Sequence, residues 1–156
     1  MYRGVLEDLI PLAEARHIDI GVDSEAGGAR ARPELWLRVS EFELAVIIKN
    51  LVDNAVGYTP AGGRVDLAAV IGAEAVMLQV RDSGPGIPPD ERARAFDPFY
   101  RLPGTEQRGA GLGLSIVKTA ARRVGGHVTL AYADEGRKTG LLATLQLPLD
   151  KVCAPD

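Results

Sequence analysis

Asn50 and Asn54 stand four residues apart in the run Asn50-Leu51-Val52-Asp53-Asn54-Ala55. On a helix that spacing sets both amides on one face, one turn apart. Amide oxygens are hard ligands suited to magnesium, which fills the rest of its shell with water and phosphate oxygens. Taken alone, the pair is more readily explained by one solvated Asn and one bonded to nearby backbone. Further along, Asp82-Ser83-Gly84-Pro85-Gly86-Ile87 places a carboxylate at the end of an apolar strand, ahead of two glycines. A buried carboxylate accepts a hydrogen bond from the amino group of adenine, where guanine carries an acceptor, so such a site favours ATP over GTP. The glycines let backbone approach the ring closely, although the same residues also make an ordinary strand-ending turn. In Gly109-Ala110-Gly111-Leu112-Gly113-Leu114 three glycines open a helix, and a helix N-terminus offers phosphates its unpaired N–H groups and partial positive charge. This is not a dinucleotide fingerprint, because Leu114 and Ile116 occupy the places of a third glycine, and no Gly-Lys-Ser/Thr makes it a P-loop. Phe96-Asp97-Pro98-Phe99-Tyr100-Arg101 lies between the glycine segments, its two Phe reading as core under a long loop. Arg101 and Arg108 flank residues 102–107, a placement suited to a lid that closes on a triphosphate. Combined, these segments describe a pocket for a magnesium nucleotide.

Such segments need elements to hold them. Val5, Leu6, Leu9, Ile10 and Leu12-Ala13 predict an amphipathic helix over 3–16. Alternation predicts strands at Ile18–Val22 and Leu35–Val39, with a turn over Ser24–Arg30. Ser40 and Glu43 form a capping-box signature for a helix whose stripe is Leu44, Ile47, Leu51 and Ala55, ended by Thr59–Gly63. Val65–Ile71 and Val76–Arg81 read as a hairpin turning at Gly72-Ala73-Glu74, and Pro88–Glu91 as the start of a short helix in a loop running from Asp82 to Gly109. A helix over Gly111–Val124 ends at Gly125-Gly126, and Val128–Ala133 with Leu141–Leu149 closes the chain as a second hairpin. The expected fold class is α/β (α+β): a two-layer sandwich of a mixed, largely antiparallel sheet covered on one face by helices. Residues 1–150 read as a single domain and 151–156 as a polar C-terminal tail.

At 156 residues the chain can bury a real core, and 46% hydrophobic with 25% charged residues is ordinary for a soluble globular protein. A net charge of −3 with interspersed signs gives no footprint for nucleic acid. Cys153, the single cysteine, excludes an internal disulfide and favours a reducing compartment. Glu7 and Asp8 break the only N-terminal apolar stretch, so a signal peptide is not expected, and no run reaches the roughly 20 apolar residues of a membrane span.

In this order and spacing the four segments resemble the ATP-binding catalytic domain of bacterial sensor histidine kinases, within the wider GHKL ATP-binding family. Asn50–Ala55 is similar to its N box, Asp82–Ile87 to its first glycine box, Phe96–Arg101 to its F box and Gly109–Leu114 to its second glycine box. The resemblance runs from the first helix to about Leu149 and implies the GHKL ATP-binding fold. It implies magnesium held by Asn54 with help from Asn50, and adenine held by Asp82 in a pocket shaped by Gly84, Gly86 and Ile87. It further implies phosphates held by Arg101 and by Gly109, Gly111, Leu112, Gly113 and Leu114 under a lid over 100–110, with Tyr58 also in the ATP-binding set. ATP and Mg2+ would be the cofactors. The implied partners are the dimerisation and histidine phosphotransfer domain of the full-length kinase and a response regulator, with no nucleic acid and no direct membrane contact. The isolated domain would be monomeric, and its place the cytoplasmic part of a membrane-bound sensor.

Three departures stand out. Gly57 occupies a position where the family usually carries Lys or Arg, which predicts weaker ATP binding and a gain on Gly57→Arg; Ala110 replaces a common Ser or Thr. The family's acceptor histidine, followed by an acidic residue and an Arg-Thr-Pro run, has no counterpart at His17 or His127, which read as surface or strand-edge residues. Relatives that hydrolyse ATP carry a glutamate where Asn50 stands, and an amide cannot take a proton from water at neutral pH. Phosphoryl transfer to a histidine outside this chain is therefore expected, ahead of a regulatory ATP-binding module with little catalysis or an ATPase switch.

Overall fold

The computed structural model describes residues 2–23, 36–102 and 111–153. The turn expected at 24–30, the beginning of the second strand at Leu35, and Gly109, Ala110, Arg108 and most of the lid lie outside the described residues.

Helix α1 (Tyr2–Ala15) leads into strand β1 (Asp19–Asp23), followed by β2 (Trp36–Leu37), helix α2 (Glu41–Tyr58), β3 (Arg64–Ile71) and β4 (Ala75–Asp82). After a 3-10 turn at Pro89–Glu91 come the short α3 (Arg92–Ala95), α4 (Gly113–Arg123), β5 (His127–Asp134), β6 (Thr139–Pro148) and β7 (Val152–Cys153). Five strands form one sheet in the order β1-β3-β4-β6-β5; β1 runs parallel to β3 and the other pairs are antiparallel. The sheet is therefore mixed and largely antiparallel, as the alternation predicts.

Period-two burial shows which face is covered. Val65 and Leu67 of β3, Val76, Leu78 and Val80 of β4, and Leu141, Ala143, Leu145 and Leu147 of β6 are buried together with α2 and α4. α2 exceeds its predicted stripe: besides Leu44, Ile47, Leu51 and Ala55 it buries Ile48, Val52 and Val56, because it lies between α1 and α4 on the sheet. Ile47 and Val52 are wholly enclosed, and each such side chain contributes about 1.5–3 kcal/mol.

Local signals set the ends of these helices. Ser40 Oγ accepts from the Glu43 N–H at 3.3 Å; the Glu43 carboxylate does not complete the box but pairs with Arg123 at 3.2 Å, tying the start of α2 to the end of α4. Ser40→Ala is expected to cost about 1 kcal/mol, read as a lower urea midpoint at constant m; an unchanged midpoint would remove the cap from the account. α4 closes with Gly125 at φ 76, the Gly126 N–H reaching Ala121 O and the Gly125 N–H reaching Arg122 O. α1 closes the same way without a glycine. His17 takes φ 55, its N–H bonds Glu14 O, and the Ile18 N–H bonds Ala13 O at 2.9 Å.

Three expectations change. In α1, Ile10 and Leu12 are exposed while Ala13 is buried, because the helix packs at the margin of the core on α2 and β1. Phe99 is 71% exposed rather than core, while Phe96 packs partly buried against the core as expected. Residues 152–153 do not trail off as a tail. They pair antiparallel with Trp36–Leu37, and the Arg38 N–H bonds Lys151 O at 2.6 Å.

Candidate functional site

One cavity of about 1030 Å³ opens beside α2 and is lined by Asn50, Asn54, Tyr58, Ile87, Arg101, Gly111, Leu112, Gly113 and Leu114. Four stretches separated in sequence thus meet at one wall.

The asparagines come from α2, whose apolar stripe faces the sheet and α4 and so leaves the Asn face turned to the cavity. Asn50 Nδ2 donates to Val46 O at 2.8 Å, which fixes the amide with its oxygen outward. A Cβ built on Gly113 would lie 3.8 Å from that Oδ1, so the amide oxygen faces the first residue of α4. No side chain caps α4, whose preceding residue Leu112 has helical φ and ψ, and its leading N–H groups remain suited to an anion. An oxygen ligand beside an uncapped helix start fits a magnesium-bound phosphate; hard-ion chemistry and anion chemistry are adjacent here.

The second glycine segment is held by the F segment. The Phe99 N–H donates to Gly111 O at 3.0 Å, and a Cβ on Gly111 would come within 3.0 Å of Phe99 backbone. Both residues sit at positive φ, 65° for Phe99 and 74° for Gly111. For Phe99 that conformation costs about 1–2 kcal/mol, and it throws the ring outward. Next to it Tyr100 Oη donates to Glu91 Oε2, and this bond to an acidic partner holds the phenol above its ordinary pKa.

Asp82 and its glycines are placed differently from the expectation: they do not line the cavity. Asp82 is 4% exposed, and its Oδ1 accepts two backbone N–H bonds, from Gly84 at 2.9 Å and Leu141 at 3.0 Å. Burial raises its pKa, and the two bonds, from Leu141 and Gly84, only partly oppose that. Both bonds fall on Oδ1, so Oδ2 is the remaining acceptor. Gly84 backs onto the end of α2, where an added Cβ would lie 2.9 Å from Tyr58 O, and Gly86 packs against Gly140 O and the Tyr132 ring. At their Cβ positions these glycines make room for neighbouring protein. The segment reaches the cavity through Ile87 and through the contact of Gly84 with Tyr58.

Sequence reasoning missed the far wall. Arg16 and His17, at the end of α1, line the same cavity as Gly57. Arg16 Nη2 donates to Gly57 O at 3.2 Å, across 41 residues of chain. No local spacing carries such a signal. His127 opens β5 at the surface, and no cluster of three or more His, Cys, Asp or Glu suited to a metal occurs among the described residues. No helix among them is long and apolar enough to cross a membrane.

Residues 39–151 match the family of histidine kinase-, DNA gyrase B-, and HSP90-like ATPases. Sensor histidine kinase RppB of Synechocystis sp. is 34% identical over 149 residues, covering 94% of this chain and 31% of the relative, so the chain spans about a third of that protein. The mycobacterial sensor histidine kinase MprB superposes with TM-score 0.76 at 30% identity, over 95% of this chain and 93% of that one. Full-length ShkA, solved in complex with AMPPNP, superposes with TM-score 0.78 at 31% identity, over 98% of this chain and 29% of its own.

Proposed function

This chain belongs to the family of histidine kinase-, DNA gyrase B-, and HSP90-like ATPases, and we propose that it binds Mg-ATP in the cavity beside α2 and delivers the γ-phosphoryl group to a histidine on a separate dimerisation domain. The observation that carries this reading is the convergence of Asn50, Asn54, Tyr58, Arg101 and the start of α4 on one cavity. ATP itself is supported by the family and by the AMPPNP held by ShkA; magnesium is inferred from the outward Asn50 oxygen.

Each residue then has a physical task. Asn54 and Asn50 offer amide oxygens to magnesium, which when bound neutralises charge on the phosphates. The uncapped N–H groups of Gly113 and its neighbours, together with Arg101, hold phosphate oxygens. Tyr58 and Ile87 cover the base, and Asp82, whose segment adjoins that wall through Gly84 and Ile87, offers Oδ2 to its amino group. Transfer forms a P–N bond to the acceptor imidazole as the P–O bond to ADP breaks, and the protein's part is positioning and charge neutralisation. Hydrolysis is disfavoured because Asn50 already donates to Val46 O and cannot act as a general base.

The acceptor domain and a response regulator are the proposed partners, and the cytoplasmic side of a membrane-bound sensor is the proposed setting, with the 156-residue chain monomeric alone. Two measurements test the reading. ATP titration should show magnesium-dependent binding that falls at least about tenfold in Asn54→Ala and is unaffected by that change in EDTA; equal losses with and without the metal would remove the ligand role. Mixing the chain with ATP and a histidine-bearing dimerisation domain should yield acid-labile phosphate, and free phosphate without labelled protein would point to an ATPase switch instead.

A further inference from the structure

The end of α1 places a guanidinium where α2 has no side chain. Gly57 lies in the last turn of α2 and lines the cavity, and its carbonyl accepts from Arg16 Nη2 at 3.2 Å. Arg16 is held there by its own backbone setting. It sits between Ala15, the last residue of α1, and His17, whose left-handed conformation closes the helix through the bonds to Glu14 O and Ala13 O. The carbonyl of His17 in turn accepts from the Gly62 N–H at 2.7 Å, so this corner is pinned to the loop that follows α2. The bond to Gly57 occupies one of the five N–H donors of the guanidinium. Among the described residues lining the cavity, Arg16 and Arg101 are the two arginines, against a single carboxylate from Asp53.

We propose that Arg16 is a phosphate-binding residue of this site, supplying from α1 the cation that α2 lacks at Gly57. The proposal rests on the nucleotide reading above. A triphosphate carries several negative charges, and beside the magnesium ligands, the start of α4 and Arg101, a second guanidinium, anchored by a carbonyl and already in the cavity wall, adds charge-assisted bonds with little ordering cost. A narrower role is also physically reasonable, because a cation near the last carbonyls of α2 favours the helix end whether or not anything binds. The two roles differ in what they do to phosphates.

The test titrates magnesium ATP and adenosine into the wild-type chain, Arg16→Gln, Arg16→Lys, and Arg16→Gln combined with Gly57→Arg. Glutamine keeps a donor for the Gly57 carbonyl and removes the charge. Arg16→Gln should weaken ATP about tenfold while adenosine stays within about twofold, and Arg16→Lys should retain most of the ATP affinity. Adding Gly57→Arg to Arg16→Gln should restore ATP binding, with a smaller gain from Gly57→Arg in the wild type, since both cations serve one anion. Unchanged ATP affinity in Arg16→Gln, or equal losses for ATP and adenosine, would overturn the proposal and leave only the helix-end role. Binding of neither ligand by a folded wild-type chain would instead defeat the nucleotide reading itself.

Discussion

Asp82→Asn is expected to weaken ATP binding by about 10- to 100-fold while stabilising the fold at neutral pH. The two effects have separate causes. In the wild type Oδ1 is committed to the N–H groups of Gly84 and Leu141, so an asparagine must keep its oxygen there and turn its NH2 to where Oδ2 was. That NH2 then meets the adenine amino group donor to donor. Guanine, with an acceptor at the same place, suffers no such conflict, and the preference for ATP over GTP should narrow or invert. An unchanged ATP affinity and an unchanged ATP-to-GTP ratio would mean that Asp82 only ties the turn after β4 to β6.

Stability moves the other way because Asp82 is buried and has no ion-pair partner among the described residues. Its folded pKa is raised above the ordinary value of 3.8, chiefly by burial. Between those two values the folded state binds more protons than the unfolded chain, so stability falls as pH rises through that window. Asparagine has no such slope. Urea unfolding of wild type and Asp82→Asn should therefore differ little at pH below the ordinary aspartate value and diverge in favour of the variant by neutral pH; a constant difference across pH would contradict the assignment.

Gly86→Ala is expected to cost about 2–4 kcal/mol of folding stability, the sum of a left-handed φ and a collision. Gly86 has φ 78, and a Cβ there would lie 2.5 Å from Gly140 O and 2.8 Å from the Tyr132 ring. Gly140 cannot move aside. It too has positive φ, its N–H bonds Gly84 O at 2.6 Å, and its own missing Cβ faces the Asp82 backbone. Gly62 provides the control, with φ 85 and nothing within 4 Å of an added Cβ. Gly62→Ala should lose only the conformational part, about 1 kcal/mol. Equal urea midpoints for the two variants would show that the contact with β5 and β6 carries no energy.

The contrast between these glycines shows where local reading stops. From spacing alone Gly84 and Gly86 read as room for a ring; their missing side chains also make room for Tyr58 O, Gly140 O and Tyr132, which come from 26 residues before and more than 40 after. Phe99 likewise reads as core by type, but its N–H is taken by Gly111 and its φ of 65 turns the ring out. Short-range rules know composition and spacing; they do not know which distant backbone arrives alongside.

What the amino-acid sequence determined by itself is the periodic part: α2 from its cap and stripe, the hairpins from their alternation, α4 from its glycine stop, and the Asn50 and Asn54 face from a spacing of one helical turn. Those features depend on neighbours within a few residues, where helix and strand geometry leaves few alternatives. Only the tertiary structure decided that the Asp82 segment adjoins the cavity through Gly84 and Ile87 while Asp82 itself is outside its lining, that residues 152–153 return to pair with Trp36–Leu37, and that Arg16 reaches Gly57. Each of these joins parts of the chain too far apart for any local period to register, and burial and packing of the whole sheet against α2 bring them together.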